Sequence, residues 1–245
     1  MGSVFCGSIF LSPVLKLFLF WRTTLDGARD LIIFNVLVGL AAVHFLLKTL
    51  GTYLEKATWV FLTMWIMSLI LLVWLRVYGG ERGDIVDYDE NLKRDHLPII
   101  FGAVAAMVIV SSVLVSSFTR SAIYVPRPGL ALSLGQLSTA GLIDDLLYNV
   151  VLVAPAEESM KLVGILALYR RTRNAPISVA APVGFWAVLH AYQSYQGELM
   201  PVLVFSAFLS GIILFLVLKY TRSLLNAQIA HAGFNSIVIL MSFLA

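Results

Sequence analysis

VAPAEESMKLVGILALYRRTR, residues 153–173, is the stretch on which the reading of this chain turns. It runs as one apolar helix into a basic stop at Arg170, Arg171 and Arg173, yet it carries Glu157, Glu158 and Lys161. An Asp or Lys at the centre of a membrane-spanning helix costs roughly 2.5 to 3.5 kcal/mol, so three ionisable groups in five positions offset much of what the apolar residues contribute. Lys161 follows Glu157 by four residues and Glu158 by three, which puts it on one helix face with both. An internal ion pair that helps the helix insert is one reading. The other is a functional site, because ionisable residues inside a membrane face the protein interior and serve chemistry or transport there.

The composition supports a membrane setting. Of 245 residues, 60% are hydrophobic and 13% charged, against about 45–50% and about 25% in soluble domains. The expected fold is all-α, a polytopic transmembrane helix bundle of about eight spans forming a single domain over residues 1–245. Apolar runs long enough to span occur near 3–21, 30–50, 57–78, 98–118, 141–169, 177–197, 200–219 and 224–244. Residues 1–140 supply the N-terminal helices and loops, and the motifs fall within 150–245. Residues 119–140, broken by Pro126 and Pro128, read as a loop or interfacial segment. The first run lacks a basic leader and a small-residue cleavage site, so it is expected to stay as a helix.

The net charge is +3, but the basic residues stand beside apolar runs. They read as topology signals and exclude a nucleic-acid surface as the explanation. Arg22, Arg29, Arg76, Arg82, Lys93, Arg94, Arg170, Arg171, Arg173, Lys219 and Arg222 fall in the odd-numbered connections, and only Lys48, Lys56, Arg120 and Arg127 in the even ones. Odd connections are therefore expected at the cytoplasm. The longest, residues 79–96, mixes both signs and lacks the order of an EF-hand calcium loop; it reads as a solvated loop. The single cysteine, Cys6, excludes an internal disulfide or a multi-thiolate metal site.

Later helices hold further polar groups. Gln228, His231 and Asn235 recur at i, i+3 and i+7, one polar stripe on an apolar helix, and Gln193 follows His190 by three residues. Polar side chains at membrane depth must face protein or trapped water. At a rise of 1.5 Å per residue, Glu157, His190 and His231 lie about 18, 20 and 11 Å from the cytoplasmic ends of their helices. The clusters can therefore meet in the cytoplasmic half of the bundle. His44 and Asn35 read as interhelical contacts and His96 as interfacial. Asp144 and Asp145 suit the positive end of a helix dipole, and Tyr148 and Asn149 could line an outer vestibule.

Glu157-Glu158, then Trp186-x-x-x-His190, then His231-x-x-x-Asn235 resemble the CPBP family of intramembrane glutamic proteases, which includes the CAAX prenyl endopeptidases and bacteriocin-immunity proteins. The resemblance covers the C-terminal 95 or so residues. It departs at Leu162, where that family usually has Arg; Lys161 instead gives Glu-Glu-x-x-Lys, similar to the PrsW branch of glutamic membrane proteases. The resemblance implies an endopeptidase acting on a membrane-anchored protein or peptide within the bilayer, with no cofactor. Glu157 would activate a water held with His190, while His231 and Asn235 would stabilise the oxyanion. Glu158 would orient the site, with Lys161, Trp186, Gln228 and Gln193 in support. Zinc held by Glu157, His190 and His231 is the alternative within this chemistry. A non-catalytic scaffold or immunity-type protein and a proton-coupled transporter are the competing classes. The expected location is a prokaryotic cell membrane.

Overall fold

A computed structural model describes residues 53–78, 85–86, 88, 92–119, 139–194 and 200–244. The expected spans at 3–21 and 30–50, and with them Cys6, Asn35 and His44, lie outside the described residues, as does most of 119–140. Every regular element among the described residues is helical: α1 Tyr53–Tyr78, a 3-10 turn Arg94–His96, α2 Leu97–Thr119, α3 Thr139–Tyr148, a π turn Asn149–Val153, α4 Ala154–Thr172, α5 Ala175–Ser194, α6 Met200–Thr221 and α7 Leu224–Leu244. The chain is thus an all-α bundle, and six of the expected apolar runs coincide with helical segments.

The expected count of about eight spans does not follow from these helices alone. Among the described residues three are long and apolar enough to cross a membrane, within α2, α6 and α7, and shorter apolar stretches lie in α1 and α5. Helix α4 falls short of that standard because it carries Glu157, Glu158, Lys161, Arg170 and Arg171; of its polar residues Glu157, Glu158, Ser159 and Lys161 are buried.

Helices α1 and α2 each present one seam to their neighbours. On α1 the buried residues Thr58, Phe61, Trp65 and Ser68 recur at helical spacing, and Phe61 and Trp65 pack with Tyr148, Leu152, Val153 and Ala156. On α2, Ile100, Ala103 and Met107 meet Leu214, Val217 and Ala230 of α6 and α7. One turn on, the Ser111 and Ser206 hydroxyls hydrogen-bond at 2.8 Å, satisfying each other where no water is at hand. Large apolar side chains such as Trp59, Ile70, Phe101, Phe185 and Phe205 point outward. So many exposed apolar side chains suit a lipid surface better than water.

The tight connection between α4 and α5 follows from its residues. Arg173 adopts a left-handed backbone, φ 54°, and its N–H closes α4 on the Tyr169 carbonyl. Asn174 then starts α5, its Oδ1 accepting from the Ile177 N–H at 3.1 Å, as an N-cap asparagine does.

Within residues 79–96, expected as a solvated loop, the described residues 92–95 are exposed but Ile85, Val86 and Tyr88 are not. Val86 is buried among Leu162, Leu166, Leu218, Leu224 and Ala227, with Ile85 and Tyr88 packed against the same group. The Leu224 N–H donates to the Tyr88 carbonyl at 3.2 Å, which satisfies one of the donors that the first turn of α7 leaves open. Ile85, Val86 and Tyr88 form a short strap against α4, α6 and α7. His96 is half-buried here, its Nδ1 2.8 Å from the Asn226 Nδ2.

Candidate functional site

Helices α3 and α4 are one rod interrupted by the π turn at Asn149–Val153, and α7 runs antiparallel along it. Three residues of α7 join the two in sequence. Gln228 Nε2 donates to the Pro155 carbonyl at 3.4 Å and to the Ser159 hydroxyl at 3.3 Å. His231 Nδ1 lies 2.7 Å from Glu158 Oε1. Asn235 Nδ2 donates to Asn149 Oδ1 at 3.5 Å. The polar stripe of α7 therefore faces the rod along its whole length.

The centre of the site is a buried set of charges. Lys161 Nζ and His231 Nδ1 share the same Glu158 oxygen, Lys161 at 2.5 Å. Glu157 Oε2 stands 3.7 Å from His231 Nε2, a separation that a hydrogen bond does not bridge directly. Glu157, Glu158, Lys161 and His231 are each no more than 6% exposed. Two carboxylates, one ammonium and one imidazole thus sit together in a low-dielectric interior, where an isolated charge is costly and a paired one is retained.

Trp186 of α5 closes this set from the side. Its ring meets His231 edge-to-face, with centroids 5.8 Å apart and planes at 89°, and Lys161 Nζ stands 3.8 Å over it. The ring's negative face suits the ammonium. Gly211 of α6 gives the tryptophan its space, since a Cβ there would come 2.5 Å from Val183 and 3.4 Å from the Trp186 ring.

The structure brings together Glu157, Glu158, Lys161, Trp186, Gln228 and His231, with Asn235 one turn further along α7. His190 and Gln193 lie on α5, and their side chains are outside the described part; the ligand set of the zinc alternative includes His190 and lies partly outside it too. Of two further contributors, Ser159 is not singled out by the sequence, and Asn149 is expected only to line a vestibule. Asn149 is buried and bonded to Asn235 rather than lining a vestibule, and Ser159 receives Gln228. Ser159 was discoverable, being four residues after Pro155 on its own helix face. The register of Asn149 depends on the π turn, for which the nearby Pro155 is the one sequence signal.

The His231 contacts constrain its chemistry. With Nδ1–H donated to the Glu158 carboxylate, the imidazole is held in one orientation and only Nε2 faces Glu157. That is the carboxylate–imidazole pairing by which hydrolytic sites fix a tautomer and stabilise imidazolium.

Fold and site define a polytopic membrane protein with a buried carboxylate–imidazole centre built from three helices. Residues 139–237 match the Rce1-like family, type II CAAX prenyl endopeptidase Rce1-like, a span that starts with α3, ends within α7 and contains the residues of this site. Over that segment the chain is similar to the type II CAAX prenyl endopeptidases that the family model describes. No curated protein and no solved structure matches the chain.

Proposed function

We propose that this chain hydrolyses a peptide bond in a membrane-anchored protein or peptide, using a water activated by Glu157. The observation that carries the reading is the 3.7 Å between Glu157 Oε2 and His231 Nε2, beside a Glu158 carboxylate already occupied by Lys161 and His231 Nδ1. A water at about 2.8 Å from both atoms fits that separation, donating to Glu157 Oε2 and accepting from His231 Nε2–H until the substrate carbonyl oxygen takes over that N–H.

Glu158 and Glu157 then have different tasks. Glu158, ion-paired and shared, orients His231. Glu157 takes the proton of the attacking water as general base, with His190 helping to hold that water. As the carbonyl carbon becomes tetrahedral, negative charge moves onto its oxygen. His231 in its imidazolium form donates to that oxygen through Nε2, and the Asn235 amide supplies a second donor. With imidazolium present, the charges of Glu157, Glu158, Lys161 and His231 sum to zero, which makes the buried set affordable without a metal ion. Glu157, having taken the proton, passes it to the leaving amine.

The test is incubation of purified protein with a panel of membrane-anchored peptides, prenylated and not, with and without a chelator. Cleavage that is insensitive to chelator and lost in Glu157→Gln is the expected result. Cleavage that stops on chelation and returns with Zn²⁺ would replace the glutamate–water mechanism by a metal one. A solute flux in liposomes without cleavage would put the chain among transporters.

A further inference from the structure

We propose that Asn149 is a positioning residue for Asn235, brought onto the site's face by the π turn that begins with it; the proposal rests on the oxyanion role given to Asn235 above. Successive residues of an α-helix are about 100° apart around the axis. In an unbroken helix Asn149 and Glu157, eight residues apart, would point about 80° away from each other. A π turn takes up one extra residue. The effective separation becomes about seven steps, and the two side chains fall within about 20° of one face.

The cause of the π turn is legible in the chain. Pro155 has no N–H to donate, and its ring crowds the carbonyl four residues back, at Val151. Val151 lies inside the π turn Asn149–Val153, and the next N–H, that of Ala154, reaches back five residues to the Asn149 carbonyl. The wider turn thus absorbs the disruption that the proline imposes.

Hydrogen bonds then set the direction of each amide. Asn149 Nδ2 donates to the Asp145 carbonyl at 2.9 Å, an atom that can only accept. Asn149 must therefore turn its Oδ1 outward, toward α7. Asn235 meets that oxygen with its NH₂ group at 3.5 Å and cannot reverse its amide without setting oxygen against oxygen. One N–H of Asn235 is held by Asn149, which leaves the other fixed in direction, one turn along α7 from His231. A backbone carbonyl on the rod thereby decides which end of the Asn235 amide faces the site. Burial of Asn149, 7% exposed, keeps water from substituting for either bond.

The experiment compares wild type, Asn149→Leu, Asn235→Leu and the double variant in detergent, each labelled with ¹⁵N-asparagine. The Asn235 side-chain NH₂ resonance, assigned by its absence in Asn235→Leu, is expected to move in Asn149→Leu. On the membrane-anchored peptide that wild type cleaves best, Asn149→Leu is expected to lower kcat about ten- to a hundredfold with KM within about twofold. The double variant is expected to be no slower than Asn235→Leu alone, because Asn149 acts through Asn235. An unmoved Asn235 resonance, or losses that multiply in the double variant, would overturn the proposal. Asn149→Ser, whose hydroxyl is too short to bridge the helices, gives the same readings where the leucine variant does not fold. A wild type that cleaves none of the peptides ends the protease reading, and the resonance shift alone then decides whether Asn149 positions Asn235.

Discussion

Glu158 Oε1 and His231 Nδ1 are 2.7 Å apart, and this contact joins the rod that carries both carboxylates to the helix that carries the polar stripe. The neighbouring Glu157 lies on the same turn but meets His231 only at 3.7 Å and through the other ring nitrogen. Adjacent glutamates on a helix are about 100° apart, so a single imidazole placed between them presents one nitrogen to each. The double glutamate is therefore a way of gripping one ring from two sides.

The two glutamates should separate stability from activity. Glu158→Gln leaves Lys161 buried without its carboxylate, and breaking a buried pair costs about 3–5 kcal/mol. We expect a large fall in Tm in detergent together with loss of cleavage. Glu157→Gln should abolish cleavage with little change in Tm. Equal losses of Tm in the two variants would contradict the division of roles.

Lys161 offers a complementary measurement. Lys161→Met leaves Glu158 with His231 as its one cationic partner and should lower stability by roughly 3 kcal/mol. The double variant Glu158→Gln, Lys161→Met removes both charges and should recover part of that stability while remaining inactive. Denaturant midpoints for the four proteins form the cycle; additive losses would mean that the two side chains are not coupled.

Much of this arrangement was legible before any coordinates. The i, i+3, i+7 spacing of Gln228, His231 and Asn235 placed them on one face, and the cost of bare polar groups in lipid required that face to meet protein. Lys161 was readable as a partner of Glu158 from spacing alone, although spacing left Glu157 equally open. What spacing could not supply was choice among partners. The contact of Lys161 with the Trp186 ring needs the α4–α5 hairpin, whose close approach depends on Gly164 set against Pro182, where an added Cβ would come to 3.1 Å. Spacing points Asn149 to a vestibule and not to Asn235 because it does not count the extra residue of the π turn, which rotates Asn149 by about 100°. Composition does not reveal the strap, because the charges around Ile85 and Val86 outweigh two apolar residues.

Gly211→Ala should act on the site at a distance. The added methyl meets Val183 at 2.5 Å and the Trp186 ring at 3.4 Å, an overpacking that costs about 1–3 kcal/mol. Relief by movement of α5 would draw Trp186 off His231 and Lys161. We expect a changed tryptophan emission that disappears in the Trp186→Phe background, and a kcat lowered about tenfold or more. Emission and kcat both unchanged would show that α5 and α6 adjust without disturbing the ring.

The strap makes the remaining prediction. Val86 is buried at the end of the bundle with Leu162, Leu166, Leu218 and Leu224, and removing its two methyl groups should cost about 2 kcal/mol through lost burial and an unfilled space. Because the same segment accepts the Leu224 N–H through the Tyr88 carbonyl, loosening it should expose that donor to solvent. Hydrogen exchange on Val86→Ala is expected to speed up at Leu224 well before the centre of α7 near His231. Val86→Asp should show the same pattern more strongly, since a carboxylate cannot stay among those leucines without a partner. Uniformly faster exchange along α7 would instead mean that the strap supports the whole helix, with no separate opening of its first turn.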